Sequence, residues 1–473
     1  MFTMSRLKLV DDDHLKKVHE GTMEVLEKTG VVMENAEALA IWKDNGARVE
    51  GSKVFIPRGL VEKAIESTPA SFPYMALNDA KALTIGEGQE RVHVEPNHSP
   101  VFIQSLDRGH RLATIDDLID VYKLHHASPI CDINGSIPAD PCDLTGPSRR
   151  ARIFYELLKH TDKALRFTGG TAEEVEQDFK MLCTAKGNPH WLDEGHACYH
   201  TINPLSPLSF DHKPIESILA YARRNQPVSI MTSSLSGVTS PLSMSGVAVL
   251  QNAEVLAAIT LLQLVRPGLP CLYGPASMRP NLQTAAYTTG SPESDMINII
   301  NFQLVIDHYH IPIRSMAGMS DSKLPDAQSG YETMQNLMLC VLGGAAIINE
   351  CLGCLDAIMT TSLEKMMMDE EMISRVFRIA QGFQDIDYDL GLDQIHQVGS
   401  GGDYMTLPVT LKNCRKTWRP TVSNIDLYEI WEKNGARDVT QTAAEKYKAV
   451  LAAAPDSVAD PEILKALEPF LHQ

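Results

Sequence analysis

The chain has 473 residues, of which 44% are hydrophobic and 22% are charged, values typical of an ordinary globular protein and unlike those of a disordered one. This length allows one large domain with additions, or two to three domains. The formal net charge of -18 argues against a nucleic-acid or anionic-membrane partner, because phosphate groups are bound by clustered Lys and Arg.

The compartment is indicated by three further features of the sequence. The nine cysteines are scattered and odd in number, which is typical of reduced thiols. The first residues, MFTMSR, lack the basic and then apolar pattern of a signal peptide. No uninterrupted apolar run approaches the roughly 20 residues that a membrane helix needs. We therefore expect a cytoplasmic protein without a membrane partner.

The first 85 residues predict a mainly helical extension. A short extended piece lies at 54–57, and residues 84–96 and 100–112 alternate enough to predict strands, the second with a hairpin turn at 107–109. Helices are expected at 11–30, 36–45 and 59–67.

A regular alternation of strands and helices follows, over residues 86–395. Strands that alternate with helices are parallel, because a parallel connection needs a crossover of about a dozen or more residues. Eight such units predict an α/β fold, a closed (β/α)8 TIM barrel. An open doubly wound sheet is the alternative, and the lack of a glycine-rich dinucleotide loop after the first strand favours the barrel. The predicted strands end at Glu95, Asn134, Thr168, Asn203, Thr232, Tyr273, Met316 and Asn349, with helices near 115–126, 147–160, 172–186, 214–225, 242–265, 292–309, 327–342 and 363–382.

Residues 396–473 leave this rhythm and predict a C-terminal helical extension packed on the barrel, with helices at 424–434 and 442–453. Within the barrel, Ser240 and Pro241 predict the start of the long fifth helix. Glu254 falls on the apolar face of that helix, where a carboxylate has to be paired. Because the helix is expected outside the barrel, we interpret Glu254 as a packing residue.

Catalytic residues of a barrel lie at the carboxyl ends of the strands and in the loops that follow. Glu350 stands where the last strand opens into this region, and we favour a functional role for it. Tyr273 ends the sixth strand, where its ring offers a π-face to a cation; a core tyrosine with a bonded hydroxyl is the equal alternative.

Metal binding is not favoured by the sequence. His93, Glu95 and His98 put possible ligands near the first strand, but there is no HExxH motif. Cys351 and Cys354 form a single Cys-x-x-Cys without a second pair. We expect no metal.

A linked set of motifs resembles the trimethylamine methyltransferase family over nearly the whole chain. Such a set is far more specific than any one short motif. The motifs are INPLSPL at 202–208, GVTSPLSMSG at 237–246, NAE at 252–254, PGLPCLYG at 267–274, GSPE at 290–293, SDSKLPDAQ at 320–328 with YE at 331–332, WRP at 418–420 and YEIW at 428–431.

The resemblance implies a (β/α)8 barrel that moves a methyl group from an amine to Co(I) of a separate corrinoid protein. Founding members of the family carry pyrrolysine in the region that corresponds to residues 316–328, where this chain has only standard residues. That departure points to the branch without pyrrolysine, whose substrates are quaternary amines such as glycine betaine, proline betaine, carnitine and γ-butyrobetaine.

A quaternary ammonium releases a neutral amine, so the site needs no general acid, only desolvation, cation stabilisation and alignment with cobalt. We therefore name no catalytic residue. On strand-end position, Tyr273 and Glu350 are expected to surround the cation. The remaining expected substrate-binding residues, chiefly for the carboxylate, are His98, His200, Asn203, Gln328 and the backbone near Gly318.

The partners expected are a small-molecule quaternary amine, a cognate corrinoid protein and further copies of the chain. The sequence lacks the Asp-x-His-x-x-Gly signature with which such corrinoid proteins ligate cobalt. We therefore expect this chain to bind no cofactor itself, and the corrinoid to arrive on a partner that docks over loops at 136–148, 277–292 and 318–328.

Two other readings of the barrel remain open at this point. One is a lyase or hydrolase that uses a carboxylate pair or a His-bound metal. The other is a quaternary-amine binding protein without enzymatic activity.

Overall fold

Eight parallel strands form a closed barrel in a computed structural model that describes residues 6–135 and 137–472. Pairing is continuous from the second strand to the sixth, and the seventh strand pairs with the eighth and the eighth with the first. Tyr273 bridges to Ile313 between the sixth and seventh strands, and the Asp132 amide donates to the Val94 carbonyl (2.9 Å) between the first and second. The predicted (β/α)8 fold is confirmed, and the open sheet is excluded. The strands are β1 (His93–Pro96), β2 (Ile133–Gly135), β3 (Ala164–Arg166), β4 (Cys198–Ile202), β5 (Val228–Thr232), β6 (Cys271–Pro275), β7 (Arg314–Met316) and β8 (Ile347–Cys351).

A helix follows each barrel strand, as the sequence predicts. Because helices run back from the carboxyl end of one strand to the start of the next, each begins at the mouth of the barrel and ends at its base. The helices are α1 (Ile115–Ala127), α2 (Arg149–His160), α3 (Ala172–Lys186), α4 (His212–Arg223), α5 (Met244–Val265), α6 (Pro292–Leu304), α7 (Ala327–Gly343) and α8 (Leu363–Ala380).

Helix α5 begins three residues later than predicted. Ser243 caps it by accepting a hydrogen bond from the Gly246 amide, whereas the Ser240 amide closes a turn onto the Leu235 carbonyl. The helix is long and apolar enough to span a membrane by length and composition alone, but 89% of that window is buried inside the protein. It is therefore the central core helix.

Glu254 on α5 has the packing role that the sequence predicts. It is fully buried outside the barrel wall, and accepts hydrogen bonds from Ser206 Oγ (2.9 Å) and the Leu208 amide (2.7 Å). Burial raises the pKa of this carboxyl. Glu254 thus fixes the loop that follows β4.

The N-terminal extension covers α5 and closes the base of the barrel. A short sheet joins Val31–Met33, Arg48–Glu50 and Lys53–Phe55 to Ser209–Phe210. A hairpin of Ser71–Tyr74 and Leu83–Gly86 packs Phe72, Tyr74 and Ile85 against the lowest barrel side chains. The helical segments are Asp12–Glu24, Val25–Thr29, Ala36–Asp44 and Arg58–Ser67.

The second predicted hairpin, Phe102–Ser105 and Gly109–Leu112, is present and pairs with Thr360–Ser362 beside the mouth. In the C-terminal extension, Val439–Ala453 packs along α8, where Lys446 Nζ lies 3.0 Å from Glu370. The domain boundaries after residues 85 and 395 stay predictions. The other helices of this part are Leu392–Val398, Pro408–Asn413, Tyr428–Lys433 and Pro461–Leu467.

Candidate active site

The middle of the barrel lumen holds a buried ion cluster. Arg314 on β7 is fully buried and donates two hydrogen bonds to Glu95 on β1, from Nη2 at 2.6 Å and from Nε at 2.7 Å. The Tyr199 hydroxyl also donates to Glu95, and Arg166 Nη1 on β3 lies 2.9 Å from its Oε1. Two guanidinium groups therefore share one carboxylate, which leaves this layer with one positive charge in excess.

Arg166 makes fewer hydrogen bonds than Arg314. It is only 4% exposed, and its Nε finds no hydrogen-bond acceptor among the described residues. Arg314 uses its remaining nitrogen on Met231 Sδ, at 3.8 Å. A buried donor without a partner costs free energy, which a ligand carboxylate would recover. Arg166 is thus a ready anion-binding group in the floor of the site.

An apolar layer rich in sulfur lies above this floor, at the mouth. Met231 and Met316 reach it from strand ends, and its other members come from the loops. Thioether side chains exclude water and are readily polarised, which suits a soft cation. The layer comprises Met231, Ala276, Met278, Met316, Met319 and Cys354, with Leu235, Tyr287 and Ile358 packed against it.

Glu350 joins the two layers. Its carboxylate accepts hydrogen bonds from the His98 amide (2.9 Å) and from Asn349 Nδ2 (3.2 Å). Burial raises the pKa of Glu350 to about 7, although Arg166 and Arg314 act to lower it. Ionised, this carboxylate is an anion in a largely apolar chamber.

The backbone at Glu350 is unusual, because its φ of 54° lies in the left-handed region and the pairing of β8 with β1 shifts register there. Such irregularities cluster at functional sites, where they redirect a side chain. The role expected of Glu350 stays a prediction, and its position supports it.

Tyr287 is a site residue that the sequence reading missed. It comes from the loop between β6 and α6 and packs against the methionine layer. Burial raises the pKa of its hydroxyl, and Glu350 and Cys354 add to that shift. The tyrosine thus stays neutral and offers its ring beside Glu350. A lone aromatic residue in a mouth loop was the only signal in the sequence.

Tyr273 does not face the lumen. Leu272 points into the barrel, so strand alternation turns Tyr273 outward, where its hydroxyl donates to Asn252 Oδ1 on α5 at 3.0 Å. Asn252 in turn donates to Tyr309 and Thr22. This position is the one that the core alternative describes, and it does not support the cation-binding role expected of Tyr273, which stays a prediction.

The two histidines are kept neutral. Burial, aided by Arg166, lowers the pKa of His200 to about 3, and the pKa of His98 lies well below its usual value for the same reasons. His200 packs against the ring of Tyr221 on α4, with centroids 5.9 Å apart. His98 Nδ1 accepts a hydrogen bond from the Ile137 amide at 3.4 Å. Neither adds positive charge that would repel a cationic ligand.

Gln328 and Asn203 make no hydrogen bond to another expected site residue within the described part of the chain. Gln328 Nε2 donates to Glu332 (2.9 Å), which also accepts from Ser320 Oγ and from the Asp321 amide. Asn203 is exposed beyond the end of β4. Carboxylate binding by either residue stays a prediction, and the buried arginines are better placed for it.

The carboxylate of Asp321 joins two loops at the mouth, those at 277–292 and 318–328. Asp321 accepts hydrogen bonds from the Thr289 amide (2.7 Å) and the Gly290 amide (3.1 Å). The loop that carries Tyr287 is therefore tied to the loop at 318–328, and Glu332 anchors both.

Gly318 allows a close approach of its loop to β8, and carboxylate binding by the backbone near it stays a prediction. A Cβ at this position would lie 2.4 Å from Cys351 Cα and from the Glu350 carbonyl oxygen, so only glycine allows this approach to β8. Its carbonyl accepts from Lys365 Nζ (3.0 Å), which is ion-paired with Asp369 (2.8 Å). This contact holds the backbone beneath Glu350.

His93 and Glu95, which the sequence offers as possible metal ligands, have other partners in the structure. His93 Nε2 contacts the Thr84 carbonyl at 2.7 Å, and Glu95 binds the arginines. Within residues 6–135 and 137–472, no group of three His, Cys, Asp or Glu side chains is arranged to hold a metal ion.

The arrangement separates two opposite charges within one lumen. An excess positive charge lies in the floor at Arg166, and a negative carboxylate lies higher up at Glu350, between apolar walls. Opposite charges held apart between apolar walls are complementary to a small zwitterion.

Several known proteins are similar to this chain in sequence or in structure. The family model for trimethylamine methyltransferase (MTTB) matches residues 2–473. A glycine betaine methyltransferase of Desulfitobacterium hafniense (strain Y51) is 32% identical over 471 residues, which cover 99% of this chain and 98% of that protein. An L-carnitine:corrinoid methyltransferase of Eubacterium limosum is 30% identical, over 83% of this chain and 82% of its own length.

Among solved structures, the monomethylamine methyltransferase of Methanosarcina barkeri superposes with a TM-score of 0.56 at 12% identity, over 98% of this chain and 89% of that one. That likeness shows the fold. The full-length match to the family model, together with the relatives in sequence, shows the family. This chain belongs to the trimethylamine methyltransferase family.

Proposed function

We propose that this protein removes a methyl group from a quaternary amine that carries a carboxylate, of the glycine betaine class, and passes it to Co(I) of a corrinoid on a separate protein. The single observation that carries the proposal is that one lumen holds both a buried guanidinium with an open Nε, on Arg166, and a buried carboxylate, on Glu350. The names of the relatives, glycine betaine and L-carnitine methyltransferases, support the same substrate class.

The charges of the substrate match those of the site. The substrate carboxylate takes the open Nε of Arg166, and the ammonium lies between Glu350, the ring of Tyr287 and the methionine sulfurs. A ligand with the ammonium alone leaves the open Nε of Arg166 as it is, and so gains none of the roughly 1–3 kcal/mol that a carboxylate recovers there. We therefore propose that choline and trimethylamine are poor substrates.

In the reaction, the carbon–nitrogen bond breaks with its electron pair returning to nitrogen, while the electron pair for the new bond comes from Co(I). The product is a neutral tertiary amine, so no proton has to be supplied at nitrogen. The residues of this chain align the departing methyl group with the mouth and exclude water. Because the positive charge on nitrogen disappears, the attraction between the ammonium and Glu350 is lost as the product forms.

The methyl acceptor has to approach the mouth, where the joined loops at 277–292 and 318–328 form the rim. We propose that the corrinoid protein docks there. The third expected docking loop, at 136–148, begins at Ser136, which lies outside the described residues. The chain contains no Asp-x-His-x-x-Gly with which to ligate cobalt, which supports a corrinoid carried by the partner.

The proposal is tested by incubating the purified chain with cob(I)alamin and following its methylation by absorbance. Glycine betaine, proline betaine, carnitine and γ-butyrobetaine are compared with choline and trimethylamine. We expect at least one betaine to be demethylated far faster than both compounds without a carboxylate. Equal rates with choline would contradict the carboxylate subsite, and product formation without Co(I) would contradict methyl transfer.

A further inference from the structure

Two buried hydroxyl groups in the wall of the barrel lack partners. Thr201 on β4 is 7% exposed and Ser229 on β5 is fully buried, and neither hydroxyl finds a hydrogen-bond partner among the described residues. The two residues are register partners across β4 and β5, so their side chains are neighbours on one face of the wall. A buried hydroxyl without an acceptor costs free energy, which a bound ligand with acceptor oxygens would recover.

Strand alternation turns both side chains toward the lumen. Tyr199 lies two residues before Thr201 on β4, and its hydroxyl reaches Glu95 in the ion cluster. Met231 lies two residues after Ser229 on β5 and belongs to the methionine layer. Side chains two residues apart on a strand share a face. The hydroxyl pair therefore lies between the ion cluster below and the methionine layer above.

The open Nε of Arg166 belongs to the same side of the barrel. Arg166 on β3 is the register partner of Tyr199, so Thr201 lies one strand across and two residues along from it. Strands lie about 4.8 Å apart and rise about 3.3 Å per residue, which puts the Cα atoms of Arg166 and Thr201 roughly 8 Å apart. At this separation, an arginine and a threonine side chain are able to bind the same carboxylate.

The unpartnered groups of the opposite wall have the opposite character. Asn349 on β8 and Asn97, in the loop after β1, use their amide nitrogens on Glu350 (3.2 Å) and Thr361 (2.7 Å). Both asparagines are fully buried, and their side-chain oxygens find no donor among the described residues. In a closed barrel of eight strands, β8 and β1 lie opposite β4 and β5. Open donors on one wall thus face open acceptors on the other, which matches the polarity of a betaine.

We infer that Thr201 and Ser229 determine specificity for a carboxylate, by donating hydrogen bonds to the substrate carboxylate that Arg166 binds. This inference rests on the proposed function, because it assigns further residues to the carboxylate subsite of the same lumen. A carboxylate has about four sites that accept hydrogen bonds, of which the Nε of Arg166 fills one. The two hydroxyls fill two more. A ligand without a carboxylate gives them no acceptor.

The first test measures the binding of glycine betaine and of choline by calorimetric titration. Thr201→Val and Ser229→Ala each remove one hydroxyl with little change of volume. Each should weaken glycine betaine binding by about tenfold or more, because a hydrogen bond to a charged group is lost, and should leave choline binding almost unchanged. The ratio of the two affinities is the readout, since a loss of packing alone would affect both ligands.

Two further variants control for packing. Thr201→Ser keeps the hydroxyl and removes only a methyl group, and should bind glycine betaine nearly as wild type. Thr232→Val changes a buried threonine on β5 that faces Glu254 outside the barrel wall, and should leave both affinities unchanged. If Ser229→Ala fails to fold, Thr201→Val and Thr201→Ser still test the inference.

Unchanged glycine betaine affinity in the hydroxyl variants, the result expected if the hydroxyls hold only water, would overturn the inference. Equal losses for glycine betaine and choline would also overturn it, as would a Thr201→Ser variant that binds as poorly as Thr201→Val. These results leave the proposed function standing when the wild type prefers betaines and methylates cob(I)alamin with them. A wild-type chain that binds glycine betaine and choline equally would contradict the carboxylate subsite itself, and with it both proposals.

Discussion

Replacement of Glu350 by Gln removes the charge of the buried carboxylate that lies beside the methionine layer, with little change of shape. Glutamine still accepts the hydrogen bond that the His98 amide gives to the carboxylate. The effect of Glu350→Gln on binding therefore reports the charge of the side chain and not its shape. We expect the affinity for a quaternary ammonium to fall sharply.

The size of the effect follows from Coulomb's law. For unit charges ~5 Å apart at an effective dielectric constant of 20, the attraction is about 3 kcal/mol, which corresponds to roughly 150-fold in affinity. Because the ammonium loses its charge during transfer, this attraction is weaker in the transition state than in the bound substrate. The Glu350→Gln variant should therefore raise KM by about two orders of magnitude without lowering kcat.

The same carboxylate predicts the pH dependence of binding. Burial raises the pKa of Glu350 to about 7, and only its ionised form attracts the ammonium. As pH falls below about 7, protons compete with the ligand, so affinity should drop about tenfold between pH 8 and pH 6. The variant with glutamine should show no such dependence from this position.

The assay is calorimetric titration of glycine betaine at pH 6, 7 and 8, together with initial rates of cob(I)alamin methylation. Glu254→Gln is the matched control, because Glu254 is also a buried carboxylate but lies outside the barrel wall. It should lower the melting temperature and leave the affinity of the folded protein unchanged. Wild-type affinity in Glu350→Gln, or a loss as large in Glu254→Gln, would refute this reasoning.

Three further changes follow from the site. Arg166→Met should weaken binding of betaines by about 10–100-fold and leave binding of choline almost unchanged, as measured by titration with both ligands; equal losses for both would argue against a carboxylate contact. Tyr287→Leu should weaken binding of any quaternary ammonium by about 1–2 kcal/mol, whereas Tyr287→Phe keeps the ring and should bind as wild type. Lys365→Met removes the ion-pair partner of the buried Asp369, which keeps the Gly353 amide but no cation, and should cost about 3–5 kcal/mol of stability in urea unfolding. An unchanged midpoint would contradict that role.

The barrel could be predicted from the sequence because each unit repeats the same local signals. Short apolar runs end in small polar residues, and amphipathic helices follow with caps and glycine stops. The start of α5 was misplaced because Ser240–Pro241 and Ser243 both satisfy the rules for a helix start. Only the turn of Leu235 to Ser240 decides between them, and that turn depends on contacts with its surroundings.

The site was predicted less well, because strand-end position does not say which way a side chain points. Tyr273 and Leu272 are neighbours in one apolar run, and the tilt of strands in a closed barrel puts Leu272 inside. Arg166 and Arg314 did carry a signal, since each is a charged residue within a strand that is buried on both faces. Such a residue has to meet an opposite charge or a ligand. Their shared partner Glu95 lies on a strand distant in sequence, so pairing it with them required the fold.

The most direct test of the central claim is a crystal structure of this chain with glycine betaine bound. The account predicts that the ligand carboxylate lies within hydrogen-bond distance of Arg166, that the ammonium contacts Glu350 and Tyr287, and that one methyl group faces the mouth. A ligand bound outside the lumen, or one with its carboxylate turned toward the mouth, would contradict the account.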